Sequence, residues 1–213
     1  ASDNCPLVSG QIGSSCNDNN SCTGSDVLNS SCVCVGTSPN AYWNMTAAAN
    51  TSNSIPSVTM SSISRGNNNG TTTLITTTSP SSTSDYASAS AGGNAGAAAI
   101  AGSLNTGAGG SAYFEITVTP AAGFGFTLNG ISFGTRSTSS GPVSYSLRSS
   151  TDNYASEVAG GAISANSVWS LKSNSGLSAA SAGDQPVTFR LYGFGSSGNP
   201  SVNTANWRID DVT

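Results

Sequence analysis

The chain predicts an all-β fold, a β-sandwich or jelly roll with a disulfide-tied, loop-rich N-terminal arm. Three observations lead there. Short runs alternate apolar and polar residues between clusters of Gly, Pro, Asn and Ser, the pattern of half-buried strands separated by turns. No stretch carries the 3.6-residue periodicity of an amphipathic helix. All five cysteines, Cys5, Cys16, Cys22, Cys32 and Cys34, lie in the first 34 of 213 residues. Pro39 and Asn40 mark a boundary, so residues 1–40 form the arm and residues 41–213 the sandwich.

In the arm, successive cysteines are 11, 6, 10 and 2 residues apart and the chain contains no His. Structural zinc favours repeated Cys pairs two to four residues apart, often with His. A polar, loop-rich segment without a core of its own is instead the usual setting for disulfides. Cys32 and Cys34 are too close to pair with each other, so each is expected to reach back to Cys5, Cys16 or Cys22. The fifth cysteine is then free or bonded to another chain. The stretch "CNDNNSCTGSD" (16–26) offers Asp18, Asp26 and several Asn as oxygen ligands for calcium. It lacks the EF-hand order and its closing Glu. Turns in which Asn and Asp bond nearby backbone explain the same residues.

Beyond the arm, "SAYFEITVTP" (111–120) is the clearest strand, with Phe114, Ile116 and Val118 facing a core and Tyr113, Glu115, Thr117 and Thr119 facing away. "FGFTLNGISFGTR" (124–136) reads as a strand with a turn or bulge at Asn129-Gly130. "PVSYSLRSS" (142–150) places Val143, Tyr145 and Leu147 on one face. "PVTFRLYGF" (186–194) sets Val187, Phe189 and Leu191 against Arg190 and Tyr192. "ANWRIDDVT" (205–213) alternates Trp207, Ile209 and Asp211 with Arg208, Asp210 and Val212. Weaker strands are "AYWNMTA" (41–47), "PSVTMSSISR" (56–65) and "TTTLITTTS" (71–79). The glycines of "AGGNAGAAAIAG" (91–102) argue against a helix and leave a loop or a strand of small residues.

Composition excludes several functions. Only 8% of residues are charged and the net charge is −4, with one Lys and five Arg in no cluster. Phosphate neutralisation needs clustered cations, so nucleic acid is not an expected partner. No apolar run approaches the roughly 20 residues of a membrane helix, and membrane insertion is not expected. Without His, an abundant Ser has no general base beside it. Glu115, Asp152, Glu157, Asp184, Asp210 and Asp211 are the only carboxylates beyond residue 85, and inter-strand ion pairing is their ordinary fate. The chain is therefore read as a non-enzyme. Among the aromatics, Trp169, in "ANSVWSLKSNSG", is the exposed candidate for glycan contact, with Trp43 and Tyr154 beside it.

The residues also carry a resemblance. "CNDNNSCTGSDVLNSSCVCVGT" resembles a Cys-rich segment of secreted Bacteroidota surface proteins. "YFEITVTP", "ISFGTRSTSSGPVSYSLRSSTDNYAS" and "VTFRLYGFGSSG…NWRIDDVT" resemble a β-sandwich module of the same proteins. The resemblance implies type IX secretion, with a C-terminal sorting domain removed or not included. A chain that begins at Ala1 suits a mature secreted protein. The closing "RIDDV" resembles the last strand of calcium-binding jelly-roll carbohydrate modules. That resemblance would make Asp210 or Asp211 a ligand of structural calcium, and no cofactor is otherwise expected; a salt bridge to Arg136, Arg148 or Arg190 is the plainer role.

These readings favour an extracellular or cell-surface structural protein that assembles with copies of itself into a fibre, sheath or surface layer. Low charge, surfaces of small residues and an odd cysteine support it. The alternative is a carbohydrate-binding or adhesin module of a larger secreted protein, with polysaccharide as partner.

Overall fold

The computed structural model describes residues 5, 10–19, 24–46, 54–198 and 206–213. The chain divides into two compact units, Ala1–Asn40 and Ala41–Thr213.

In the first unit, β1 (Gly24–Leu28) pairs antiparallel with β2 (Cys34–Thr37). Disulfides join Cys5 to Cys32 and Cys16 to Cys34. They span 27 and 18 residues, and closing loops of that size is worth about 3 kcal/mol each. Side chains complete the turns. Asn29 Oδ1 accepts from the N–H groups of Ser31 and Val33, Asp26 Oδ2 from Asp18 N–H, and Asp18 Oδ2 from Gly36 N–H. Cys22 lies outside the described residues, as does whatever its thiol does.

The second unit is a two-sheet sandwich. Its strands are β3 (Val58–Met60), β4 (Ser64–Gly66), β5 (Ile75–Thr76), β6 (Asn94–Ala98), β7 (Tyr113–Pro120), β8 (Thr127–Ser137), β9 (Ser144–Ser149), β10 (Ala159–Ala162), β11 (Ser170–Ala180), β12 (Val187–Phe194) and β13 (Asn206–Asp210). The six-stranded sheet runs β10-β9-β12-β7-β3, with β4 also on β7; the five-stranded sheet runs β11-β8-β13-β6-β5. Every named pair is antiparallel. From β6 onward the chain changes sheet at each connection except the β9–β10 hairpin, so each sheet is built from strands distant in sequence.

The core lies between the sheets, where the predicted apolar faces meet. Phe114, Phe133, Tyr145, Leu147, Phe189, Leu191, Trp207 and Ile209 are all buried there. The Phe114 and Trp207 rings lie 4.8 Å apart, and those of Phe133 and Tyr145 5.1 Å. The Ala-rich segment supplies β6, which is buried throughout. Ala95 and Ala97 join the core. On the opposite face a Cβ at Gly96 would meet Thr72 and the Thr73 carbonyl, at 2.8 and 3.0 Å. Only small residues fit a strand covered on both sides.

Several expectations need correction. Asn129-Gly130 does not turn or bulge: β8 runs straight through it, and the irregularity falls on β11 between Ser175 and Ala179. Gly176, at φ +70°, takes up the extra length there. Of the predicted strand 41–47, the described residues 41–46 make one bridge, Trp43 to Val212, rather than a strand. Val143 precedes β9 and stays 44% exposed, because it sits at the rim and not between the sheets. In β13 alternation predicts one wet face, yet Arg208 and Asp210 are as buried as their neighbours. The residues between β4 and β6 fold over that face and close it.

Candidate functional site

The outward face of the six-stranded sheet carries Tyr113, Glu115 and Thr117 on β7, Thr188, Arg190 and Tyr192 on β12, and Ser146 and Arg148 on β9. Pairing sets Glu115 opposite Arg190 and Tyr113 opposite Tyr192, and it sets Arg190 opposite Arg148. Arg190 Nε donates to Glu115 Oε2 at 2.6 Å, the side chains being 24% and 26% exposed. The guanidinium carbon lies 4.4 Å from the Tyr113 ring centroid and 4.1 Å from that of Tyr154. The cation is thus held between two phenol rings. Tyr113 fits because residue 66 is Gly; a Cβ there would come within 2.2 Å of the phenol. One row along, the Thr117 and Thr188 hydroxyls bond to each other at 2.9 Å.

Such contacts contribute little to folding. A partly exposed ion pair or cation–π contact stabilises by about 0.5–1 kcal/mol. What they build is a patch of defined shape. Burial alone lowers the Arg190 pKa, but the bond to Glu115 helps to turn the net direction upward, so the charge is permanent. Burial pushes the Tyr113 and Tyr154 phenols up, so both remain O–H donors at neutral pH. The patch therefore offers cationic and phenolic donors, a carboxylate acceptor and flat ring surface. A sugar ring, with hydroxyls that donate and accept and an apolar C–H face, matches that set.

A second cluster lies outside the other sheet. Asp211, the residue after β13, accepts four hydrogen bonds: from Tyr42 Oη at 2.6 Å, Ser90 Oγ at 2.6 Å, Tyr86 Oη at 2.7 Å and Ser90 N at 2.9 Å. Asp210 accepts from Ser81 Oγ at 2.8 Å and from Asp211 N at 2.9 Å. Burial, with bonding to Asp211, pushes the Tyr42 phenol up to about 12. This set does not fit the calcium expected here. The groups facing both carboxylates are hydroxyl and amide donors, and the four donors on Asp211 occupy the lone pairs a cation would need. Nor does either aspartate pair with Arg136, Arg148 or Arg190. Arg136 and Arg148 bond to backbone carbonyls, and Arg190 to Glu115.

Asp210 gives this cluster a pH dependence. Burial raises its pKa to about 7, with the charge of Asp211 adding to the rise. Ser81 Oγ has one proton and two acceptors, Asp210 Oδ2 and Ser90 O; a protonated Asp210 resolves the conflict by donating to Ser81. The folded form binds the proton more tightly than the unfolded chain. The contribution is complete below about pH 4 and is lost as pH rises through about 7. Unfolding free energy should fall by up to a few kcal/mol across that window. In Asp210→Asn the fall should disappear, measured by urea unfolding at pH 4.5 and 8. Equal slopes for the two proteins would rule this out.

The structure separates the three predicted glycan contacts. Tyr154 belongs to the outward patch. Trp169 is buried at 5% exposure, packed with Tyr86 and Ala89, its Nε1 donating to Ser79 O at 3.0 Å. Trp43 is buried in the main core at 4% exposure and donates to Ser61 O at 3.2 Å. The loop after β5 covers Trp169 and the core takes up Trp43, and alternation reveals neither. Tyr113, Glu115 and Arg190 had a signal in the sequence, since each sits on the polar side of an alternating strand. That β7 lies beside β12 had none. Glu115 and the pair Asp210/Asp211 stand on the outward faces of different sheets, so they do not form the facing carboxylates of a glycosidase.

No family model matches the chain, and no curated protein matches it by sequence. Among solved structures, the K1 adhesin domain of Lys-gingipain from Porphyromonas gingivalis is similar over 82% of this chain and 96% of its own, at 13% identity and a TM-score of 0.40. The K3 adhesin domain of the same protein is similar over 80% and 95%, at 14% identity and 0.37. A family 11 carbohydrate-binding module from Clostridium thermocellum is similar over 82% and 95%, at 11% identity and 0.35. Likenesses this loose decide neither ligand nor activity.

Proposed function

We propose that the sandwich of residues 41–213 is a non-catalytic carbohydrate-binding or adhesin module of a secreted protein, working outside the cell or at its surface. The observation that carries this reading is the stack of Tyr113, Arg190 and Tyr154 beside Glu115, all partly exposed, on the outward face of the six-stranded sheet. Partly exposed aromatic rings flanking a permanent cation and its carboxylate contribute little to folding and are well matched to sugar hydroxyls. Two disulfides suit an oxidising compartment, and export by type IX secretion belongs to the same reading. Assembly into a fibre drew on an odd cysteine, but Cys22 lies outside the described residues and no described feature adds to that reading.

Affinity electrophoresis against neutral and acidic polysaccharides tests the proposal, with calorimetry on any that retard the protein. Tyr154→Ala and Arg190→Met should each weaken binding about tenfold, the scale of one lost stacking contact. Circular dichroism should show both variants folded. Free migration through every gel, or variants retarded as strongly as the parent, would sink the proposal.

A further inference from the structure

The ring of Tyr154 reaches Arg190 through an unusual piece of backbone. After β9 a single 3-10 turn, Ser150–Asp152, leads into Asn153 at φ +58° and Tyr154 at φ +61°. Two successive non-glycine residues in the left-handed region are costly, the more so for an aromatic, and persist only where their surroundings over-determine them. Here they are over-determined. Arg148 Nη1 donates to Tyr154 O at 3.1 Å and to Ala155 O, while its Nε donates to Ser146 Oγ at 3.1 Å. Asp152 accepts from Ala155 N at 3.1 Å and Ser156 N at 2.8 Å. Tyr154 N donates to Ser149 O at 2.8 Å. Arg148 is thus committed to the turn, although it stands directly opposite Arg190 on the neighbouring strand. Two like charges side by side are themselves unfavourable.

We propose that Arg148 and Asp152 are positioning residues, which clamp the strained Asn153–Tyr154 turn so that the Tyr154 ring lies on Arg190 before any ligand arrives. This rests on the glycan-binding reading of the patch. A binding face built in advance does not have to be ordered by its ligand, and that saving appears as affinity. Arg148 itself touches no sugar in this scheme; its Nη1 is bonded to the turn and its Nε to Ser146.

The test reads the ring directly. The Arg190 guanidinium carbon lies over both tyrosine rings, so ring currents should shift the neighbouring Nε–H resonance, and that shift reports whether Tyr154 is in place. Tyr154→Ala calibrates the value without that ring. In Arg148→Met, which keeps an apolar stem and removes the donors, the shift should move most of the way to the calibrated value. Affinity for whichever polysaccharide retards the parent protein should fall about tenfold, as in Tyr154→Ala. Should Arg148→Met fail to fold, Asp152→Ala, at an exposed position, decides the matter, with movement in the same direction expected. A parent-like shift in the folded variant overturns the proposal. Failure of the parent protein to bind any polysaccharide overturns the glycan reading instead, while the proton shift still judges the clamp.

Discussion

Asp211→Asn should lower the unfolding free energy by about 3 kcal/mol, a large share of what a domain of this size has. The carboxylate gathers four donors from three places in the chain: Tyr42 before the first strand of the sandwich, and Tyr86 and Ser90 in the segment that covers the five-stranded sheet. Asparagine keeps the volume and tolerates the φ of +49° found here. It offers one acceptor oxygen where the carboxylate had two. Its amide hydrogens would face groups that now donate, so about two of the four bonds would be broken or reversed, at the edge of a site where Tyr86 is buried and Tyr42 and Ser90 are partly so. At roughly 2–4 °C per kcal/mol for a domain of this length, the thermal midpoint should drop by about 10 °C. Urea unfolding gives the free energy and a melting curve the midpoint. A loss under about 1 kcal/mol would mean the donors find other partners, and the latch role would be wrong.

Gly134→Ala should be nearly as damaging, by about 2–4 kcal/mol. A Cβ at this position would stand 2.1 Å from the Tyr86 Oη, 2.5 Å from its Cζ and 2.8 Å from its Cε1. The ring cannot simply swing away. Its hydroxyl is bound to Asp211 and the residue packs with Trp169 and Ala89. One methyl group therefore evicts Tyr86 and takes one of the four donors from Asp211. Because the two sites share Tyr86, their costs should not add. In a Tyr86→Leu background Gly134→Ala should become mild, with a coupling above about 1 kcal/mol in the double-mutant cycle. If the glycine substitution costs as much without the phenol as with it, the clash lies elsewhere.

Both substitutions act where sequence reasoning misplaced the chemistry. "RIDDV" resembles a calcium strand, yet the groups around Asp210 and Asp211 are donors, a fact that depends on Tyr42, Tyr86 and Ser90 arriving from more than a hundred residues away. Trp169 sits in a polar stretch and reads as exposed, but the loop after β5 covers it. Neither outcome leaves a local trace. The covering segment is rich in Ser, Thr and Ala, and nothing in its composition tells a surface loop from a second packed layer.

The cysteines show the same division more simply. Spacing excluded a bond between Cys32 and Cys34 and left each with three partners. The fold selected Cys5 for one and Cys16 for the other.

Alternation is a property of neighbouring residues, so the sequence by itself determined that the body is a β-sandwich, which side of its clearest strands, such as 111–120 and 186–194, meets the core, and that an oxidised, cysteine-tied arm precedes it. Which strands lie side by side is settled by closing loops of many tens of residues and by the fit of facing side chains, quantities no short window contains. Only the tertiary structure could therefore bring Tyr113 from β7, Arg190 from β12 and Tyr154 from a strained turn into one stack, and bury two aspartates beneath hydroxyls.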